Sequence, residues 1–415
     1  MRRADGQYIR LARLPYLVAA EADGESDFEQ IAPRVSKDFG RTVSADIVRY
    51  LVEERLRPLG VLAATNGSST MLPRAKLGVL ALWFRTPMVP EGVVEAFTAV
   101  FRPLFFAPVV IVVLAGFAAL EFWLFFIHGI SWSTLVEALY RPENFLTVFG
   151  LGILAASFHE LGHATACRYG GAKPGRIGAG IYLVWLVFYS DVTDAYRLSK
   201  AGRLRVDLGG VYFNAIFWLA IAGAYFLTES EVLLIAVFFG QLVMLYQFMP
   251  FVRLDGYYVV SDLTGVPDLF ARIKPTLRSM IPGRATDTRV LGELKPWVRV
   301  VVTAWVLITI PALIYLLARM GINAPFMYTT AWDSFLVNYD IVLSAFGEGK
   351  VVDGVAGLVR IVLLIIPVVG LPLLYALIGK RLSGALWSWL GGKQPLRAGP
   401  ASDLLGTESR HEEEL

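Results

Sequence analysis

The chain has 415 residues, 56% of them hydrophobic and 18% charged, with a mean hydropathy of +0.56. That is more apolar and less charged than soluble domains, so the sequence reads as a membrane protein. A formal charge of +3 gives no basis for nucleic-acid binding, and a single cysteine, Cys167, excludes an intrachain disulfide.

Residues 1–85 differ from the rest in carrying mixed charge. The start, MRRADGQYIRLARLPYL, runs on into charged sequence without a long apolar core, so no cleavable signal peptide is expected. Tyr8, Ile9 and Leu11 suggest a short strand. After Asp27, Phe28, Ile31, Val35 and Phe39 recur at helical spacing. Ser44 is placed to cap a second helix with Ile47, Leu51 and Leu56 on its inner face. Residues 59–62 end it, and Asn66-Gly67-Ser68-Ser69 reads as a turn. The expectation is a small cytosolic α+β domain, winged-helix-like or a plain tail packed on a membrane domain.

Beyond Pro103, apolar stretches recur at about 104–127, 145–167, 208–228, 232–250, 300–318 and 361–379, each near the length that crosses a bilayer as a helix. The expected fold class is therefore mainly α and polytopic, with residues 86–380 forming a six-span membrane domain. Glu121, the one charge inside the first span, is expected to face the bundle interior. The connection from Thr228 to Glu231 is short enough to make the third and fourth spans an antiparallel hairpin. Pro311, Pro367 and Pro372 are expected to kink the last two spans. The apolar segment 177–190 is too short to span as a helix, and Gly178, Gly180 and its β-branched and aromatic residues favour extended structure. Residues 381–415 are expected to form an interfacial helix around Trp387 and Trp389, then a disordered tail beyond Pro400.

Loop charge gives an orientation. Seven Lys and Arg residues lie between 168 and 205, after the second span, and eight between 253 and 299, after the fourth. The opposite loops carry Arg141 alone, none, and then Arg319, Lys350 and Arg360 near the edges of the last. By the positive-inside rule the basic side is cytoplasmic and both termini lie there.

The second span contains His159-Glu160-Leu161-Gly162-His163. Helical positions i and i+4 share a face, so His159 and His163 can direct imidazole nitrogens at one metal ion, with Glu160 beside them as general base. Ionisable side chains in so apolar a segment are costly and usually functional. Zinc suits the pattern, but a third ligand is needed. The remaining histidines are poor candidates: His128 is at the outer end of the first span and His411 is in the acidic tail. Asp255 directly follows the fourth span, where Pro250 breaks the helix and Gly256 permits close backbone approach. Asp191 and Asp194, after the second span, are its rivals. Two histidines, a carboxylate and a water make a catalytic zinc set.

HELGH at 159–163 and Leu254-Asp255-Gly256 together resemble the motifs of the site-2 protease family of intramembrane zinc metalloproteases, in the family's order and on matching spans. The likeness covers about 145–265. It implies that His159, His163 and Asp255 bind zinc and that Glu160 activates water for peptide-bond hydrolysis. Asn214 stands where the family often has an asparagine between the motifs, which implies a hydrogen bond to the substrate backbone or oxyanion. Ala215 replaces the proline that usually follows, and an interhelical hydrogen bond is the other reading of Asn214. The segment at about 177–196 resembles the family's membrane-dipping hairpin, whose edge can hold a peptide by β-augmentation; an interfacial segment without substrate contact is the alternative.

A small domain preceding a six-span metalloprotease resembles the peptide zinc metalloproteases of bacterial ribosomal-peptide clusters. That likeness implies a leader-peptide binder within residues 7–62 and a precursor peptide as substrate. Two further readings remain open: regulated cleavage of a membrane-anchored regulator, and a non-proteolytic transport or immunity protein with a structural metal. The expected setting is the bacterial cytoplasmic membrane, with the lipid bilayer and a peptide substrate as partners and no nucleic acid.

Overall fold

A computed structural model describes residues 11, 13–62, 82–129, 137–182, 185–279 and 294–390. They fall into two compact units, one around 13–62 and the other containing 82–279 and 297–380.

The described residues of the first unit are helical: α1 (Arg13–Glu21), α2 (Phe28–Phe39) and α3 (Ala45–Leu51), the last continued by a π-helical turn, Val52–Leu56. Asp27 begins α2, its backbone N–H donating to Gln30 Oε1 at 3.3 Å, and Gly40 ends it with φ +81°. Ser44 Oγ caps α3 by accepting from Ile47 N at 3.4 Å. Val18, Ile31, Val35, Val48, Val52 and Leu56 form the core; Ile31, Val35 and Leu56 lie on the expected faces, whereas Ile47, expected to face inward, is 44% exposed and Val48 and Val52 are buried instead. Helix α1 is not anticipated by the periodicity, since nine residues give too few turns to show one. Of the expected strand, Tyr8 and Ile9 lie outside the described residues, as does the turn at 66–69, and Leu11 is in no regular element.

The second unit is mainly α, with five helices long and apolar enough to cross a membrane and a small sheet. In chain order it contains β1 (Leu82–Val89), α4 (Glu91–Phe101), α5 (Ala107–Phe122, extended by a π turn to His128) and α6 (Pro142–Tyr169). There follow β2 (Ile177–Tyr182), β3 (Trp185–Ser190), α7 (Lys200–Asp207), α8 (Gly209–Thr228) and α9 (Glu231–Gln247). The chain continues with α10 (Asp255–Thr264), α11 (Leu269–Ser279), α12 (Pro296–Gly347) and α13 (Val351–Leu390). Helices α8 and α9 pack as the expected hairpin, turning at Glu229 with φ +53°. Of the six expected spans, the fourth, α9, is apolar but only 17 residues or about 26 Å long, so five helices among the described residues have membrane-crossing length.

Segment 177–190 is a β-hairpin in register from Ile177↔Ser190 to Tyr182↔Trp185. The far edge of β2 is already taken by β1, antiparallel from Leu82↔Tyr182 to Val89↔Ile177. Strand β1 therefore straddles the boundary that composition places at residue 85.

Two expectations at the C-terminal end are corrected. Residues 319–360 were expected to be an outer loop; α12 instead runs unbroken through Pro311 and Pro325 to Gly347, and Gly349, with φ +72°, turns the chain into α13. Fifty-two residues make a helix about 78 Å long, over twice the thickness of a bilayer core. Hydropathy falls after 318, but helix formation does not depend on hydropathy, and neither proline breaks the helix. The two helices run antiparallel, Tyr328 Oη donating to Val368 O at 3.2 Å and Tyr375 Oη to Leu317 O at 2.5 Å. Likewise no separate interfacial helix forms near Trp387: α13 continues through Pro367 and Pro372 to Leu390, and residues 391–415 lie outside the described residues.

Candidate metal centre

Helix α6 presents His159 and His163 one turn apart on its buried face, 5% and 8% exposed, with their Nε2 atoms 3.0 Å apart. Asp255, the first residue of α10, meets them: Oδ2 lies 3.2 Å from His159 Nε2 and Oδ1 lies 3.4 Å from His163 Nε2. Among the described residues these three are the group of His, Cys, Asp and Glu side chains close enough to share a metal. Glu160 follows His159 along α6 and is half-buried.

Local sequence explains why Asp255 arrives there. Helix α9 ends at Gln247 and the chain unwinds through Pro250, whose carbonyl accepts from Trp305 Nε1 of α12 at 2.8 Å. A new helix starts at Asp255, so its carboxylate sits where the helix dipole favours an anion. Gly256 lets α10 press on the end of α9: a Cβ there would lie 2.1 Å from Phe248 O. Tyr257 secures the next turn, donating to Asp268 Oδ1 at 3.2 Å, accepting from Leu269 N at 3.1 Å and stacking on Phe270.

The histidines are positioned by a close crossing of α6 and α8. A Cβ on Gly162 would lie 2.3 Å from Gly209 O, and one on Gly209 would lie 2.7 Å from Gly162 O. Small residues of this kind let apolar helices approach to backbone contact. The next residue, Gly210, faces the imidazoles directly, and a Cβ there would lie 2.5 Å from both Nε2 atoms. His163 Nδ1 donates to Val206 O at 2.7 Å, which puts the ring proton on Nδ1 and leaves an Nε2 lone pair for a metal.

Asn214, 3% exposed on α8, stands on the Nδ1 side of His159. Its Nδ2 lies 3.1 Å from His159 Nδ1 and donates to Gln247 Oε1 on α9, also at 3.1 Å. These contacts join α6, α8 and α9. The rival carboxylates are occupied elsewhere: Asp191 accepts from Thr193 N at 3.1 Å, and Asp194 from Lys173 N at 2.8 Å. His128 stacks on Trp123, and His411 lies outside the described residues. Glu121 sits between the core residues Leu120 and Leu124, with Oε1 buried and unpartnered among the described residues.

Zinc fits this donor set. Tetrahedral sites with N and O ligands at about 2.0–2.1 Å hold their donors about 3.3 Å apart, close to the three separations above. Both Nε2 atoms face the Asp255 carboxylate, so either a proton or a cation must lie between them. Asp255 Oδ2 is buried, with His159 Nε2 facing it at 3.2 Å. Gly210 keeps clear the space beside both nitrogens that a Cβ would fill.

On the α7 side, Arg203 Nε donates to Asp262 Oδ1 at 2.7 Å. Asp207 Oδ2 is buried and, among the described residues, unpartnered. Burial, reinforced by the Asp262 carboxylate, pushes the Asp207 carboxyl up to about 8.

Gly210, Gln247 and Trp305 are not singled out by the sequence reading. A glycine pair opening a span and a glutamine ending an apolar run were the available signals for the first two; Trp305 resembles any other apolar core residue.

Fold and site define a mainly α protein with membrane-length helices and a buried two-histidine, one-carboxylate group. No family model matches the chain, and neither a curated protein nor a solved structure does.

Proposed function

We propose that the chain is an intramembrane zinc peptidase of the site-2 protease kind, hydrolysing a peptide bond in the precursor of a ribosomally made natural product. The observation that carries this reading is the convergence of His159, His163 and Asp255 from two separate helices on one buried point. Three protein donors leave one coordination position for water or substrate, as in catalytic rather than structural zinc sites. The preference for a precursor peptide is supported by a separate N-terminal unit with its own core, suited to holding a leader. The basic loops favour the bacterial cytoplasmic membrane, with both termini inside.

Zinc, when bound, supplies the Lewis acidity that makes water a nucleophile near neutral pH and polarises the scissile carbonyl. Glu160 takes the proton from that water and passes it to the leaving amine. The two imidazoles and Asp255 would hold the ion, and Val206 O fixes the tautomer of His163. A peptide must be extended to be cut. Strand β1 covers one edge of β2, so the substrate adds at β3, the strand that packs near α6.

The test is Glu160→Gln in full-length protein co-expressed with a candidate precursor from a neighbouring gene. Zinc content should match wild type while cleavage stops. Undiminished cleavage removes Glu160 from the role, and wild-type protein that binds no zinc overturns the reading as a whole.

A further inference from the structure

We propose that Gln247, acting through Asn214, selects the tautomer of His159 and so sets how tightly the His159–His163–Asp255 group holds a divalent cation. The inference rests on the metal-centre reading above and adds two positioning residues to it.

A neutral imidazole carries one proton, on Nδ1 or on Nε2. A cation at His159 Nε2 requires that proton on Nδ1, which then needs an acceptor. The only side chain shown on Nδ1 among the described residues is Asn214, whose amide nitrogen lies 3.1 Å away. A nitrogen that donates cannot accept; it selects the opposite tautomer, with the proton on Nε2 where the cation belongs. The orphaned atom of Asn214 is its Oδ1, buried and, among the described residues, without a partner. A half-turn of the amide exchanges the two atoms, and Oδ1 then accepts from His159 Nδ1–H.

Gln247 decides whether that exchange is favourable. The Asn214 atom that meets His159 also meets Gln247 Oε1, at 3.1 Å. Gln247 has both an oxygen and an NH₂ group and can turn to match. When its oxygen faces Asn214, the shared atom must be a donor, and His159 is held in the tautomer that excludes the cation. When its NH₂ faces Asn214, the shared atom is an oxygen that accepts from both neighbours, and His159 Nε2 is free to ligate. The two amides therefore flip together on metal binding, coupling α9 to a ligand on α6 through α8.

Isosteric substitutions separate this from packing. Gln247→Glu keeps shape but presents only acceptors when ionised, locking Asn214 in the donor orientation. Gln247→Met keeps length and makes no demand. Coulomb attraction alone would have the added carboxylate tighten cation binding; the tautomer argument has it weaken. Full-length protein in detergent at about pH 8, where a half-exposed carboxyl is ionised, is titrated with zinc against a competing chelator, and the visible absorption of its cobalt form reports ligand geometry.

Gln247→Glu should lose about 10-fold or more in zinc affinity, in the range seen for groups that orient metal-bound histidines, and Gln247→Met should lose less. Asn214→Asp, an acceptor for Nδ1–H, should retain zinc and the wild-type cobalt spectrum, whereas Asn214→Leu should lose about 10–100-fold. A Gln247→Glu protein that binds as tightly as wild type or more tightly than Gln247→Met overturns the inference, as does Asn214→Asp binding no better than Asn214→Leu. Wild type failing to bind zinc is the failure of the metal-centre reading instead.

Discussion

Gly210→Ala adds one methyl group at the point where α8 faces the paired imidazoles. Its Cβ would lie 2.4 Å from His159 Cε1 and 2.5 Å from each Nε2, where ordinary contact begins at 3.4 Å. Something must therefore move by about 1 Å, and neither partner yields readily. The His163 ring is held by Val206 O at 2.7 Å, and the α8 backbone is pressed against Gly162 at the preceding residue. Metal sites tolerate ligand displacements of only about 0.2 Å. Zinc affinity should fall by at least ~100-fold, more than loss of an orienting partner costs. Metal-free stability should drop by about 1–3 kcal/mol, the usual penalty for overpacking.

Gly223→Ala on the same helix is the control, because a Cβ there meets nothing within 4 Å. Helix propensity alone then acts, and stability should rise by about 0.5–1 kcal/mol. The two proteins carry the same chemical change at sites about 20 Å apart along α8: one should lose the ion and the other should not. Chelator-competition titration gives the affinity and thermal unfolding of chelated protein gives the stability. A Gly210→Ala protein that binds zinc as tightly as wild type would refute the geometry on which the site is built.

Asp255→Ala should abolish stoichiometric zinc binding, which metal analysis of purified protein reads directly; full occupancy would mean that another acid completes the shell. Trp305→Phe keeps the ring packing but removes the donor to Pro250 O, a loss of about 0.5–1.5 kcal/mol. Because that contact steadies the unwound stretch before Asp255, zinc affinity should fall with stability, and a fall in stability alone would uncouple the two. Burial pushes the Asp207 carboxyl up to about 8 from an ordinary value of 3.8, so near neutral pH the folded chain holds a proton there that the unfolded chain has released. The stability that goes with the neutral form is complete below about pH 4, falls as pH rises above that, and is lost once pH passes about 8. Metal-free wild type should therefore lose thermal stability between about pH 4 and pH 8 relative to Asp207→Asn and level off above that, and parallel profiles would contradict the shift.

Residues that are costly where they stand are the ones a sequence shows most openly. His159, Glu160 and His163 are costly in an apolar span, and the spacing of the two histidines fixes the face they share. Asp255 was legible for a related reason: it follows a proline that ends a helix at the depth where the histidines lie, and the structure seats its carboxylate 3.2 Å and 3.4 Å from them. The caps Asp27 and Ser44 and the hairpin at 177–190 were legible too, because each is specified by neighbours within a few residues. Gln247 and Gly210 were not, since their meaning depends on which helix lies opposite. A glutamine at a helix end and a glycine in an apolar run have many ordinary uses. The packing of α9 on α8 sets the glutamine against Asn214, and the crossing of α6 with α8 sets the glycine against the paired imidazoles.

The same distinction explains α12 and α13. Hydropathy marks where a helix can sit in lipid and says nothing of where it stops, so the polar stretch after 318 reads as a loop although no residue in it ends a helix before Gly347. Pro325 is the one local breaker, and it is overridden. The partner helix provides the reason: Tyr328 and Tyr375, one from each helix, donate hydroxyl protons to carbonyls of the other on either side of Pro325's level. Contacts of this sort are worth about 0.5–1.5 kcal/mol each, and the one made by Tyr328 accrues only when α12 continues past the proline. The length of α12 is thus a property of the pair, whereas the spacing of His159 and His163 is a property of the chain itself, and that is why the second was readable and the first was not.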